Sequence, residues 1–394
     1  MPEQPPSSIS LVKRSASERM ADFKRCSIAH RTLKEADNKL WQRIEEPGGA
    51  SLIFVYGPTG VGKTTLRQHI TARLIERAEG VAESEKHQLP VLALEAAAPE
   101  SGNFHWGHFF RQALGELEAP FLKDKVEYMA RTAYFDQAGN FLIGHRATAG
   151  DLRLSVEQSL RYRKPQAVII DEAQHLTKIS SGRRLREQMD VLKSLANQTG
   201  SLLVLVGTYE ILTFQDLSGQ LSRRSVSVHF PRYGPGEEDQ KAFQSVLYAF
   251  QRRLPVMEEP DLLKHWEYCY VRSIGCVGIL RDWLVRALAA SMEQGDRTVS
   301  LRNLEETALS VWQCEQIARE TLAGEERLEE KPGSMSRLRE MLGLVVKRMA
   351  APGAGDNLLA DASGEGSGLS EGQAQQARSK RRVGERKPKR DPLS

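Results

Sequence analysis

Five short apolar runs, rich in β-branched residues, punctuate the chain at 51–56 (SLIFVY), 91–94, 167–170, 202–206 and 225–230. Between them the spacing of apolar residues changes to three and four, so that Leu66, Ile70 and Leu74 share one helix face and Leu185, Met189, Leu192 and Ala196 another. Short β-rich runs alternating with helical patterns predict a doubly wound α/β fold on a five-stranded parallel sheet. From 236 to about 322 the strand signals stop, and Ile279, Leu280, Trp283, Leu284, Ala287 and Leu288 repeat at helical spacing, which predicts a small, separate all-helical subdomain. Residues 21–44 set Phe23, Ile28, Leu33, Leu40 and Trp41 among charges and read as a helical N-terminal extension. A weak helical pattern runs through 335–349, after which AAPGAGDNLLADASGEGSGLSEGQAQQ has too little apolar surface to fold. The expected divisions are 1–46, 47–233, 234–323, 324–350 and a disordered, basic-ended tail over 351–394.

Composition narrows the partners. The 394 residues carry a net charge of +4. Residues 378–394 contribute +6 of it, leaving −2 for all that precedes them, so nucleic-acid binding would need a local patch and not bulk charge. Cys26, Cys269, Cys276 and Cys314 form no CxxC pair and have no companion histidine at metal-ligand spacing, which argues against zinc and a disulfide framework and for reduced thiols. No apolar run approaches the roughly 18 residues of a membrane span, and MPEQPPSSIS lacks the basic end and apolar stretch of a secretion signal, so a cytoplasmic location away from membranes is expected.

The chemistry is concentrated at the ends of two predicted strands. Residues 57–64 read GPTGVGKT, the pattern GxxxxGK[ST], directly after an apolar strand and directly before an amphipathic helix. Glycines at 57, 60 and 62 let the backbone N–H groups curl toward phosphate oxygens, and the helix N-terminus adds a favourable dipole. Lys63 is expected on the β- and γ-phosphates and the Thr64 hydroxyl on Mg2+, with Gly57, Pro58, Thr59, Gly60, Val61, Gly62, Lys63, Thr64 and Thr65 together cradling ATP. The run 167–172 (AVIIDE) ends in two carboxylates. Asp171 is placed to partner magnesium, and Glu172, one residue on, to polarise the attacking water. Both motifs fall where open α/β sheets bind ligands.

Taken in order, GPTGVGKTT, VIIDEAQHL, LLVLVGTYEIL, QLSRRSVSVHF and a helical region containing GCVGILRDW resemble the AAA+ ATPases, P-loop NTPases with a helical lid, and more narrowly the transposon-encoded target-selection ATPases of the TnsC/TniB type. The resemblance covers about residues 20–320. It implies an ATPase, self-association into a ring or helical oligomer on double-stranded DNA, and partnership with a transposase and a target-selector protein. Thr208 matches the polar sensor between phosphate and water; the alternative is a helix cap, because GTYE is also a capping pattern. Arg223 and Arg224 precede the fifth strand where the resemblance places an arginine finger donated to a neighbouring subunit, Arg224 being slightly preferred; the alternative is a solvated surface pair. Arg281, in GxxGxxR, matches the second sensor, and its alternative is an ion pair with Asp282. An initiator or helicase-loader ATPase shares every nucleotide motif and stands as an alternative function, as does a nucleotide-binding signalling switch that needs no DNA.

The segment 121–163 is longer than a sheet connection requires. Within it His145, Arg146 and Thr148 precede a helix with core face Leu152, Val156 and Leu160. A basic residue and a hydroxyl beside a helix N-terminus suit phosphate contact, and related transposition ATPases grip duplex with similarly placed residues, which favours Arg146 and Thr148. An N-cap role for Thr148 or Asp151 competes. Lys178 and the arginines at 183, 184 and 186 follow the acidic strand and are further candidates for the same pore, or a solvated helix face.

Overall fold

The computed structural model describes residues 15–79, 88–99, 104–118, 133–135, 141–143, 148–178, 182–217 and 223–344. Helices α1 (Ala16–Arg25) and α2 (Arg31–Glu45) precede β1 (Leu52–Tyr56) and α3 (Lys63–Ala78). Then follow β2 (Val91–Glu95), α4 (Trp106–Glu118), the short β3 (Ala133–Phe135) and β4 (Phe141–Ile143), α5 (Ala149–Arg163), β5 (Ala167–Asp171), α6 (Gly182–Thr199), β6 (Leu202–Gly207), α7 (Leu212–Gln215) and β7 (Ser225–His229). The remaining helices are α8 (Glu237–Gln251), α9 (Trp266–Ser273), α10 (Val277–Gln294), α11 (Leu301–Thr307), α12 (Val311–Leu328) and α13 (Ser334–Met341).

The main sheet has order β2-β5-β6-β1-β7 and is parallel throughout. Alternation along β1 divides the core: Leu52, Phe54 and Tyr56 face α4, α5 and α6, while Ile53 and Val55 face α2 and α3. Every residue of β1, β5 and β6 is buried. At roughly 1.5–3 kcal/mol for each large apolar side chain withdrawn from water, these two layers supply the main drive to fold. The five strands fall where the apolar runs predict them, with β2, β5 and β6 each extending one residue further.

The antiparallel hairpin of β3 and β4 lies in the long segment after α4. Helix α5 beyond it buries Leu152, Val156 and Leu160 as its periodicity requires. Residues 144–147, and with them His145 and Arg146, lie outside the described residues, as do 345–394 with the linker and basic tail.

Helices α8 to α11 enclose their own core around Phe243, Leu280, Trp283 and Leu288. Phe23 of α1 and Ile28 belong to that same core, and Leu33, Leu40 and Ile44 of α2 belong to the sheet's. The N-terminal helices are therefore built into both layers, because the apolar stripe of each finds a different partner. Helix α12 carries the chain back from the helical layer to the sheet edge, with Cys314 packed near Ile274 and Ile279 and Leu328 against the sheet core. Residues 331–394 form a separate unit in which α13 is the one described helix, and it buries no residue.

Candidate nucleotide site

The loop after β1 curls because its glycines allow it. Gly60 and Gly62 have φ of 74° and 113° in the left-handed region. A Cβ on Gly57 would stand 2.1 Å from the Phe230 carbonyl oxygen. Lys63 opens α3, and its Nζ donates to the carbonyls of Gly57 (3.1 Å) and Pro58 (2.8 Å). Burial lowers its pKa to about 8, a shift that the nearby Glu172 and Asp171 carboxylates partly oppose. A buried ammonium paired mainly with neutral carbonyls fits an anion such as a polyphosphate.

At the neighbouring strand ends Asp171 is buried and fully engaged: Oδ1 accepts from the Glu172 N–H (2.9 Å) and Oδ2 from Arg67 Nε (3.0 Å). Each carboxylate oxygen keeps a second lone pair, so the group fits a partner for metal-bound water, with Thr64, on the first turn of α3, as the hydroxyl ligand. Glu172 has φ 52° and ψ 32° and starts a 3-10 turn over Ala173–Thr177. This left-handed residue swings its carboxylate off the line of β5, where Gln174 Nε2 donates to it. Gln174 Oε1 in turn accepts from the Thr208 N–H (3.1 Å) at the end of β6. The Thr208 hydroxyl caps nothing: it makes no side-chain cap bond, and Oγ1 is buried without a hydrogen-bond partner. The capping alternative is therefore not realised, and a polar atom is left for a ligand.

The helical layer meets this loop directly. Ile279 N–H donates to the Gly60 carbonyl (3.2 Å), and a Cβ on Gly278 would lie 2.4 Å from that oxygen. Beside this contact Ile28, His30, Thr65, Val277 and Arg281 line a cavity of about 30 Å³. Burial pushes the His30 pKa down to about 4, so the ring is neutral at physiological pH. Arg281 borders the cavity, and its guanidinium pairs with Asp282 Oδ1 (2.8 Å), the ion pair that the sequence offered as the alternative.

On the other side of the loop α12 roofs a larger cavity, about 440 Å³, with Pro58, Thr59, Gln174, Thr208 and Glu210 beneath it. The roof is fixed where Gly324 rides on the Tyr209 ring and where Arg232 and Glu325 form a two-pronged ion pair, both distances 3.0 Å. Sequence reasoning assigned no role to Arg67, Gln174, Arg232 or Glu325. Gln174 lies inside the quoted run VIIDEAQHL, but its partner Thr208 comes from another strand, and linear spacing carries no trace of that meeting.

Of the remaining candidates, Lys178 alone shares a cavity with the loop among the described residues. Arg223 and Arg224 are exposed at the start of β7; the Arg224 carbonyl accepts from Ser51 N–H and its guanidinium reaches Asn197 (3.3 Å). Thr148 forms a capping box with Asp151, accepting from Asp151 N–H (3.2 Å) and donating to its carboxylate (2.8 Å). Of the two readings of Thr148, the cap is the one the hydroxyl fulfils. Lys178 pairs with Glu210 (3.2 Å) at the margin of the larger cavity.

The architecture is the AAA+ P-loop NTPase fold, with a helical region after the sheet, and residues 45–214 match the family described as AAA domain. No curated protein matches the sequence. Among solved structures, the chain is similar to the ORC2 protein of Aeropyrum pernix in its ADP form, at 16% identity and TM-score 0.45, over 70% of this chain and 66% of that one, just under two thirds of its length. It is also similar to the Aeropyrum pernix ORC1 protein in complex with DNA (16%, TM-score 0.46, 84% and 76%). A third likeness is to domain III of the Thermotoga maritima replication initiation protein DnaA (15%, TM-score 0.40, 72% and 92%). Among the described residues no helix is long and apolar enough to cross a membrane.

Proposed function

We propose that the protein is an ATP-hydrolysing AAA+ switch that assembles with copies of itself on duplex DNA, as initiator and helicase-loader ATPases do. The observation that carries the reading is the convergence of Lys63, Glu172 and the unpartnered Thr208 hydroxyl beyond the C-terminal ends of the central strands β1, β5 and β6. In this reading Lys63 and the loop N–H groups hold the β- and γ-phosphates of ATP. Magnesium, when bound, offsets charge on those oxygens, with Thr64 and Asp171 as the residues that hold it. Glu172 takes the proton of the water that attacks the γ-phosphorus, the bond to the β–γ bridging oxygen breaks, and ADP and phosphate result. Thr208 orients the water against the phosphate. Arg281 reports the nucleotide to the helical lid, which meets the loop at Gly60, and Arg224, or Arg223, completes the site of a neighbouring copy.

The DNA component rests on charge: residues 378–394 carry +6, and Arg146 precedes α5 in the sequence. Thr148 and Lys178, already engaged with Asp151 and Glu210, are secondary contacts. The transposition reading, with a transposase and a target selector as partners, is second. What favours it is the resemblance of GPTGVGKTT, VIIDEAQHL and LLVLVGTYEIL to the target-selection ATPases.

Lys63→Ala is expected to abolish ATP binding and ATP-dependent assembly, whereas Glu172→Gln keeps both and traps the loaded form. Fluorescent-nucleotide titration, phosphate release and electron microscopy on duplex with a nonhydrolysable ATP analogue distinguish them. Monomers on DNA in every nucleotide state, or normal turnover by Glu172→Gln, would overturn the proposal.

A further inference from the structure

Glu172 does not reach the site unaided. Its carboxylate accepts a hydrogen bond from Gln174 Nε2, and Gln174 Oε1 accepts one from the Thr208 N–H at 3.1 Å. The amide orientation is fixed by chemistry: a backbone N–H can only donate, so the oxygen must face Thr208 and the amino group is left for the carboxylate. Gln174 is itself buried, at the floor of the cavity roofed by α12. One more feature belongs to the same arrangement. A Cβ on Gly207 would come within 2.6 Å of Gln174 Oε1 and 2.8 Å of Ile211 Cγ2, so a glycine at the end of β6 is what admits the amide. The runs DEAQ and VGT, separated by more than thirty residues, are thus two halves of one contact.

From this we infer that Gln174 is the positioning residue for hydrolysis: its amide ties the Glu172 carboxylate to the end of β6, so that proton acceptor and water-orienting hydroxyl hold a fixed mutual geometry. The inference rests on the proposed roles of Glu172 and Thr208. In this assignment Gln174 acts through Glu172 and not on the nucleotide itself. It also gives the α12 roof a route to the chemistry, because displacement of the 3-10 turn would move the carboxylate without disturbing Lys63.

The test compares full-length wild type with Gln174→Met, which keeps the volume and loses both hydrogen bonds, and Gln174→Glu, which keeps an acceptor for Thr208 N–H but turns an acceptor toward Glu172. ATP turnover is read together with the dissociation constant of a fluorescent ATP analogue and KM. Both variants are expected to lose about 10- to 100-fold in kcat, the scale of a reacting group misplaced by about an ångström, with KM and nucleotide affinity unchanged. Neither should lose further turnover when combined with Glu172→Gln. Gly207→Ala, which keeps the glutamine but fills its space, is expected to reproduce the kcat loss and covers the case in which Gln174→Met does not fold. Normal kcat in Gln174→Glu, losses that add in full to Glu172→Gln, or affinity falling in step with kcat would each overturn the inference. Equal turnover by wild type and Glu172→Gln is a different outcome, which removes the functional reading along with it.

Discussion

Lys63 is the residue whose chemistry is most exposed to measurement. Its pKa near 8 in the nucleotide-free protein is set by burial, and polyphosphate beside it would restore the charged form. Between about pH 8 and 10.5 the free protein therefore holds Lys63 mostly neutral, and nucleotide binding should take up close to one proton. At neutral pH the lysine is charged in both states and the uptake vanishes. Calorimetry in buffers of different ionisation enthalpy reads this directly, and an uptake that does not change between pH 7 and pH 9 would overturn the assignment. The sign for stability follows the same logic: the unfolded chain binds the extra proton, so the nucleotide-free protein gains stability as pH rises through this window, by on the order of 3 kcal/mol at most. Lys63, Asp171 and Glu172 were legible in the sequence because each motif is contiguous and its chemistry is carried by the residue type. Gln174 was not, since an uncharged amide signals nothing until the fold brings Thr208 beside it. Thr148 was ambiguous for another reason: one hydroxyl serves a cap or a phosphate equally well, and only the neighbouring Asp151 carboxylate decides which bond it makes.

Among the elements, β1, β5 and β6 were legible to within a residue because burial on both faces makes them almost wholly apolar, and β7 because Val226 and Val228 alternate with Ser225 and Ser227. The hairpin of β3 and β4 was not, since three-residue strands are too short to display a period. Helices α1 and α2 could be read as helices but not assigned partners, because an apolar stripe specifies that something covers it and not what. The contact between α10 and the phosphate loop offers a sharper experiment. Gly278 faces the Gly60 carbonyl so closely that a methyl group would stand 2.4 Å from it, and a backbone oxygen cannot swing aside as a side chain does. Gly278→Ala should therefore force the first turn of α10 away from the loop, at about 1–3 kcal/mol of stability by denaturant titration. Nucleotide affinity should fall with it, since the displaced segment borders the cavity lined by Arg281. Unaltered affinity would show that the helical layer does not sense the loop through this contact.

For the molecule as a whole, the sheet separates two groups that the proposed chemistry needs together. Strand β7 runs parallel to β1 with Ser225 level with Leu52, so Arg224 sits at the opposite end of the sheet from the loop that begins at Gly57. Five residues of strand at roughly 3.3 Å each is farther than an arginine side chain extends, so Arg224 cannot serve the phosphates of its own chain. An Arg224→Ala protein, inactive alone, should regain part of its turnover when mixed with Lys63→Ala chains that still carry the arginine, provided co-assembly is confirmed by pull-down. Absence of rescue in confirmed mixed assemblies would place the finger elsewhere. With Arg224 completing a neighbour's site as proposed, catalysis would be a collective property, and the rate per chain should climb with protein concentration until neighbours saturate. Dilute chains would hold ATP without spending it, and the onset of hydrolysis would register local crowding, turning the direction of one strand into a gauge of how many copies have gathered in one place.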